Sequence, residues 1–376
     1  MRFFLILLAV SFSMPALAQP TDKEYYEQGN AASRDGRFED AIGHYKKATA
    51  LNAQNGNAWY ALAWVYNEIG EYEEALKVLP KAKAILGESA GLLFEYGYAY
   101  QRTDRRKEAI AAYERCIALE EEYSLAYRQM ATCYFEWEKD YNTALKYYQL
   151  HIKYEEPEYV SARSWYRKAY CEVEIGDFDA ALNSINQSIV ADSTSVEAWN
   201  EKGYILFETG NADEAIVAYT RSIEIEAENS GAYKGLGDVY RLLKDESDKA
   251  FVNYSKAVEL NPDHPNNHYG LAWCYNDQKQ FEKAISSLQA ALKLNEKEAA
   301  YHAELGYAYY GLQKYDQAHA AIDRSLQLRE MSYAIYYKGL VYIAQKDKKK
   351  AKEVQEKLTA MNAPEAPTLA KKLETL

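Results

Sequence analysis

Cysteine and histidine are scarce in this chain, at four and six among 376 residues. No CxxC pair occurs, so a thiol-redox centre or a cysteine-based zinc site has no ligand set to start from. His264 and His268 are four apart, a spacing that can bring two metal ligands together, but Pro265 lies between them. HExxH, GxSxG and a glycine-rich phosphate loop are also missing. Carboxylates abound, yet no spacing marks out a glycosidase-like pair. These absences leave no basis for a catalytic centre, a metal or a cofactor. Beyond the N-terminus no charge-free apolar run reaches the ~20 residues that span a bilayer. An excess of positive charge is lacking too. The formal net charge is −12, which repels phosphate and argues against non-specific nucleic-acid binding.

The first eighteen residues differ from the rest. Arg2 opens a positive start, an apolar run extends from Phe3 to Phe12, and Ala16-Leu17-Ala18 supplies a small-x-small site. This pattern predicts a secretory signal peptide over 1–18, a mature chain from Gln19, and a periplasmic or secreted location. No cysteine follows the site, so no lipid anchor is expected.

What the chain has in quantity is tyrosine, 36 residues, within a composition that is 48% hydrophobic and 27% charged. That is a folding composition. The tyrosines are not scattered. Residues 59–76 read WYALAWVYNEIGEYEEAL, and related stretches recur, such as WYRKAYCEVEIGDFDAAL at 165–182 and WNEKGYILFETGNADEAI at 199–216. Units begin at 22, 56, 90, 124, 162, 196, 230, 265, 299 and 332. Their spacing is 34 residues or within one of it, except after the unit at 124, which carries extra residues near Asp140 and Pro157. In the unit at 56, Trp59, Leu62, Ala63 and Tyr66 share one helical face (slots 4, 7, 8 and 11). After a turn at Gly70, Ala75, Leu79 and Ala82 mark a second helix. Slots 8 and 20 are small in most units, for example Gly29 with Ala41, Gly97 with Ala109 and Gly203 with Ala215. Two helices approach closely only where side chains are short, so these pairs mark the crossing point. A single hairpin cannot bury its apolar face, whereas stacked hairpins can.

A ring at slot 4, Leu and Gly or Ala at 7 and 8, Tyr at 11, Ala at 20 and 27, an aromatic at 24 and an occasional closing proline such as Pro262 resemble the tetratricopeptide repeat family. The resemblance covers ten units and implies an all-α, right-handed superhelical solenoid of antiparallel helix pairs. It also implies first helices on a concave groove, partner binding as the role, and no catalytic residues. The expected organisation is a signal peptide at 1–18, a ten-repeat solenoid over 19–361, and a capping helix or tail over 362–376. Pro80 inside a second helix is expected to kink it. Some family members grip a chain-terminal carboxylate with Lys and Asn at slots 5 and 9 of the first unit. Here those slots hold Tyr26 and Asn30, so that activity is not carried over. Lys346–Lys352, at the start of the last repeat's second helix, reads as a solvated turn.

Helical arithmetic puts slots 2, 5, 9 and 12 about 140° away from the core face. This second stripe is aromatic beyond need. Slot 5 holds Tyr26, Tyr60, Phe94, Tyr166, Tyr269 and Tyr336; slot 9 holds Trp64, Tyr98, Tyr170, Tyr204, Trp273 and Tyr307. Twelve of these twenty positions are aromatic, against about three expected from the 14% aromatic content of the chain. Slot 12 adds Phe135, Phe207 and Tyr310. Two explanations stand: rings packing between neighbouring first helices, or an aromatic groove open to a ligand. Acids at Glu68, Glu136, Glu174, Glu208 and Asp277, and bases at Arg34, Arg102, Arg128, Arg163, Lys234 and Arg241, fringe the stripe. The predicted binding surface comprises Tyr60, Trp64, Phe94, Tyr98, Arg102, Arg128, Tyr166, Tyr170, Tyr204, Phe207, Tyr269, Trp273, Tyr307 and Tyr310.

The expected function is thus a scaffold or adaptor for a protein or peptide partner, with a glycan-binding groove as the alternative, since rings also stack on sugars. Cys133, Cys171 and Cys274 share slot 10, too far apart in successive units for the ~7 Å limit of a disulfide. Cys116 and Cys133 are better placed, and either a bridge or buried thiols fit there.

Overall fold

A computed structural model describes residues 20–375; the predicted signal peptide lies outside the described residues. Among the described residues there is no strand. Contacts divide the chain into two compact units, one ending at Val160 and one beginning at Ser161. The first contains α1 (Asp22–Arg34), α2 (Phe38–Leu51), α3 (Gly56–Glu68), α4 (Tyr72–Leu86), α5 (Ala90–Arg102), α6 (Arg106–Leu119), α7 (Ser124–Cys133) and α8 (Tyr141–Tyr154). The second contains α9 (Ala162–Glu174), α10 (Phe178–Ala191), α11 (Val196–Glu208), α12 (Ala212–Ile225), α13 (Ser230–Leu242), α14 (Ser247–Leu260) and α15 (Pro265–Asp277). It continues through α16 (Phe281–Leu294), α17 (Ala299–Gly311), α18 (Tyr315–Leu328), α19 (Ser332–Ala344), α20 (Lys348–Ala360) and α21 (Ala366–Glu374). Every odd-numbered helix from α1 to α19 starts at a residue where the repeat reading begins a unit. Each pairs with the even-numbered helix after it, so both units are α-solenoids of antiparallel helix pairs.

Local chemistry sets the helix starts. Thr21 caps α1 in a reciprocal box: its backbone N–H donates to Glu24 Oε2 at 2.7 Å, and the Glu24 N–H donates to Thr21 Oγ1 at 3.2 Å. Asn55, Ser89, Ser161, Ser195 and Asn229 accept from the backbone of the first turn in the same way. The ring at slot 4 has a second duty beyond packing. Trp59 Nε1 donates to the Ala53 carbonyl and Trp199 Nε1 to that of Ser193, both at 3.0 Å. His268 and His302 repeat this with Nε2 on the Pro262 and Glu296 carbonyls, at 2.7 and 2.9 Å. Each ring therefore ties down the loop entering its hairpin and is only half-buried.

Each of the ten hairpin turns carries one left-handed residue. Four are glycines: Gly36, Gly70, Gly176 and Gly210. The other six are Asp104, Lys139, Asp245, Lys279, Gln313 and Lys346. In the irregular fourth hairpin a π-helical turn, Tyr134–Glu138, carries the chain from α7 to Lys139. A 3₁₀ turn at Pro157–Tyr159 follows α8. α4 runs unbroken through Pro80, which sits on an exposed position. In α21 the buried Ala366 and Leu369 face inward, and a Cβ on Gly339 would stand 2.9 Å from Leu369 Cδ1.

The core repeats a ring-in-cleft wedge. Tyr219 of α12 enters between α11 and α13, where Cβ atoms on Gly203 and Gly235 would each stand 2.8 Å or less from its ring. Tyr254 of α14 does the same between Gly237 of α13 and Gly270 of α15. Glycine at both walls is what admits a tyrosine ring at a helix crossing. All four cysteines are buried and unbridged, so the Cys116–Cys133 bridge does not form. Burial pushes both thiols up to about 12, which makes them small packing groups rather than nucleophiles.

Candidate functional site

Within each unit the first helix of a hairpin touches the first helix of the next: α1 on α3, α3 on α5, α13 on α15, α17 on α19. Second helices of successive hairpins make no contact of that extent among the described residues. First helices therefore form the tighter layer, and the face they turn away from their partners is the inner face.

The aromatic stripe lies there, half-buried. Tyr60, Trp64, Phe94, Tyr98, Arg128, Tyr166, Tyr170, Phe207, Tyr269, Trp273, Tyr307 and Tyr310 are all intermediate in exposure. Arg102 is exposed, and Tyr204 keeps 38% of its surface accessible. The rings thus do both things asked of them. One edge packs against a neighbouring first helix: the Tyr60 hydroxyl would lie 2.9 Å from a Cβ on Gly91 of α5, and Phe94 stands 5.4 Å from Tyr123. The other edge meets solvent. Partial burial shows in the Tyr60 phenol, which desolvation pushes up to about 12.

In the first unit the structure brings Tyr60 and Trp64 together with residues of α1 and α2. Tyr26, Asn30, Arg34, Tyr45, Tyr60 and Trp64 line an open cleft of about 550 Å³. Tyr26 and Tyr45 stand 6.0 Å apart, and Phe38 meets Trp64 edge-on at 6.3 Å. The Tyr45 hydroxyl donates to Asn30 Oδ1 at 2.8 Å, which fixes the floor. Arg34 is exposed at the rim; its Nε donates to the Asn30 carbonyl at 3.3 Å. Farther along, Phe94 and Tyr98 stack at 6.4 Å. Arg102 donates through Nε to the Tyr72 hydroxyl at 3.0 Å.

In the second unit the fringe of charges is less free than the spacing suggests. Lys234 Nζ pairs with Asp238 Oδ2 at 2.6 Å. Arg241, with its side chain only 12% exposed, lies 5.9 Å from the Tyr269 centroid and 5.1 Å from that of Trp273. Its Nε donates to the Tyr254 hydroxyl at 3.1 Å, which itself donates to Asp238 Oδ1 at 2.6 Å. Arg241 is therefore an internal tie rather than a rim charge, and its guanidinium occupies space over the Trp273 ring. Tyr307 and Tyr310 stand 6.0 Å apart.

Sequence reasoning missed two acids on these helices. Glu95 of α5 is 6% exposed; Asn67 Nδ2 donates to its Oε2 at 2.7 Å and to its carbonyl at 3.1 Å. Glu304 of α17 repeats this with Asn276, at 2.8 Å to Oε2 and 3.2 Å to the carbonyl. It also accepts from the Tyr337 hydroxyl at 3.0 Å. Burial pushes Glu95 up to about 7, against the Asn67 hydrogen bond, and raises Glu304 likewise. The signal that could have found them is the shared spacing: Asn at slot 12, then Glu at slot 6 of the next unit. Among the described residues no group of three His, Cys, Asp or Glu could hold a metal ion. No described helix is long and apolar enough to cross a membrane.

The chain matches a family described as Tetratricopeptide repeat over residues 26–90, 166–232 and 303–367. Two further families of the same description match 245–305 and 90–123. A curated relative, anaphase-promoting complex subunit 3 of Schizosaccharomyces pombe, is 28% identical over 102 residues, 27% of this chain. The match spans only 15% of that relative's length. Among solved structures, the Cut9 and Hcn1 hetero-tetramer of the anaphase-promoting complex aligns with a TM-score of 0.53 at 18% identity, over 95% of this chain and 97% of that one. The C-terminal part of a repeat protein from Cytophaga hutchinsonii aligns at 0.53 and 15% identity, over 65% of this chain and 99% of its own. Such identities speak for the fold alone.

Proposed function

The chain belongs to the tetratricopeptide repeat family, and from that premise we propose that it is an extracytoplasmic adaptor that holds a protein or peptide partner on the aromatic inner faces of its first helices. The observation that carries this reading is the open cleft walled by Tyr26, Tyr45, Tyr60 and Trp64. Three half-buried rings, Tyr26, Tyr60 and Trp64, border the opening over a floor made by the buried Tyr45, and rigid aromatic side chains of this kind are the composition of an interface hot spot. Arg34 at the rim and Arg102 farther along add polar groups that fix the register of an extended chain. A role within a multi-protein assembly, as the name of the fission-yeast relative suggests for that protein, is part of the proposal. So is export: the apolar run and small-x-small site of residues 1–18 support it.

Two measurements test the reading. The protein made in its native host should be found in the envelope fraction with Gln19 as its first residue; recovery only from the cytoplasm would remove the export step, and an intact Met1 on envelope protein would remove the cleavage. Crosslinking in envelope extracts should capture a defined partner, and the pair Tyr60→Ala with Trp64→Ala should weaken capture at least about tenfold, since two hot-spot rings are lost. Unchanged capture by this double variant, with helicity intact, would remove the cleft from the binding surface.

A further inference from the structure

The inner face made by α9 and α11 has a chemistry of its own. Tyr170 and Tyr204 occupy the same slot on the two helices, and Tyr204 keeps more than a third of its surface open. Phe207 lies one turn beyond it, half-buried. Glu208 lies one turn beyond Tyr204 on α11 and Glu174 takes the same slot on α9; burial first, then Glu208, Glu201 and Glu174, raise the Tyr204 phenol. None of the three makes a salt bridge among the described residues. The cations nearby are already engaged: Arg167 of α9 has a partner of its own, Lys168 is held by Glu172 and Ser184, Lys202 lies over the Trp199 ring at 5.3 Å, and Lys234 and Arg241 meet Asp238. Arg163 sits at the opposite, N-terminal end of α9.

From this geometry we propose that the α9–α11 face docks an extended peptide segment of the partner through an arginine side chain, with the guanidinium laid on the Tyr204 ring and its N–H groups donated to Glu174 and Glu208. The proposal rests on the adaptor reading above and names the chemistry of the ligand at this one face. Two physical points favour a cation as occupant. A ring face bordered by unpaired carboxylates attracts a cation by quadrupole and by charge, and the planar fork of arginine satisfies both at once. The fold also contains the finished version of such a site: Arg241 lies against Tyr269 and Trp273 and reaches toward Asp238. On the α9–α11 face the rings and acids are present, and the arginine is left for the partner to bring. Glu201 strengthens the case, because burial and Glu174 push its carboxyl up to about 7, and an incoming cation relieves that unfavourable charge.

The probe is a fluorescein-labelled heptapeptide, Gly-Arg-Gly-Arg-Gly-Arg-Gly, titrated with the mature chain by fluorescence anisotropy. A Gln-for-Arg version serves as the control peptide. Saturable binding of the arginine peptide, weakened at least about tenfold by Tyr204→Ala and by Glu208→Gln, is the expected result. Glu224→Gln, an exposed acid on α12, should leave binding unchanged. Equal weakening by Glu208→Gln and Glu224→Gln, or no effect of Tyr204→Ala, would reduce the binding to general attraction by an acidic chain and overturn the proposal. No binding, or equal binding of the glutamine peptide, would overturn it as well. Partner capture that still depends on Tyr60 and Trp64 would then leave the adaptor reading standing, so the two can fail separately.

Discussion

Gly270→Ala should destabilise the protein by about 2 kcal/mol or more, although alanine is the better helix former by about 1 kcal/mol. The new methyl would stand 2.7 Å from Tyr254 Cζ, and closer still to Cε1 and Cδ1. The ring has nowhere to go. It is fully buried, its other side lies against Gly237, and its hydroxyl is held by Asp238 and Arg241. Gly43→Ala is the contrast. Gly43 is an exposed interior residue of α2, and a Cβ there would meet nothing within 4 Å. The same chemical change should therefore stabilise by about 1 kcal/mol at Gly43. Urea unfolding followed by circular dichroism reads both, and a stabilising Gly270→Ala would refute the wedge.

A second large effect concerns pH. A carboxyl whose folded-state pKa lies above its unfolded value keeps its proton longer when folded. Its contribution is thus most favourable below the unfolded value and is lost as pH rises through the folded one. For Glu95 that window runs from an ordinary 4.5 up to about 7; Glu304 shifts in the same direction. Glu95→Gln, which keeps the shape and the Asn67 hydrogen bond, should raise stability above neutrality by a few kcal/mol and change little at mildly acidic pH. Glu95→Gln with Glu304→Gln should add, since the two sites share no partner. Thermal unfolding across that window is the test; a variant with the same pH slope as the parent would show that Glu95 ionises freely in the fold.

The repeat register was legible because it depends on local rules alone. Hairpin length, the small residues at slots 8 and 20, and the cap residues all act within one unit, so the helix starts could be read from spacing. What lay between units was hidden. Slot 12 reads as part of the solvent-facing stripe, and in Phe207 it is. At Asn67 and Asn276 the same slot is buried against the next first helix, because the offset between hairpins, not the helical period, decides what that position meets. The glycines at slot 6, Gly235 and Gly270, were invisible for the same reason: they face the previous hairpin's tyrosine. Arg241 reads as a rim charge until three aromatic residues and Asp238 are seen to enclose it. The excess of rings was legible as a count, but its division between packing and exposure needed coordinates.

Six of the ten hairpin turns hold a side-chain-bearing residue in the left-handed region, where each forgoes on the order of 1 kcal/mol relative to glycine. Their partners at Gly36, Gly70, Gly176 and Gly210 already show what relief looks like. The architecture therefore has unused headroom: exchanging those six residues for glycine would toughen the array without touching any inner-face ring.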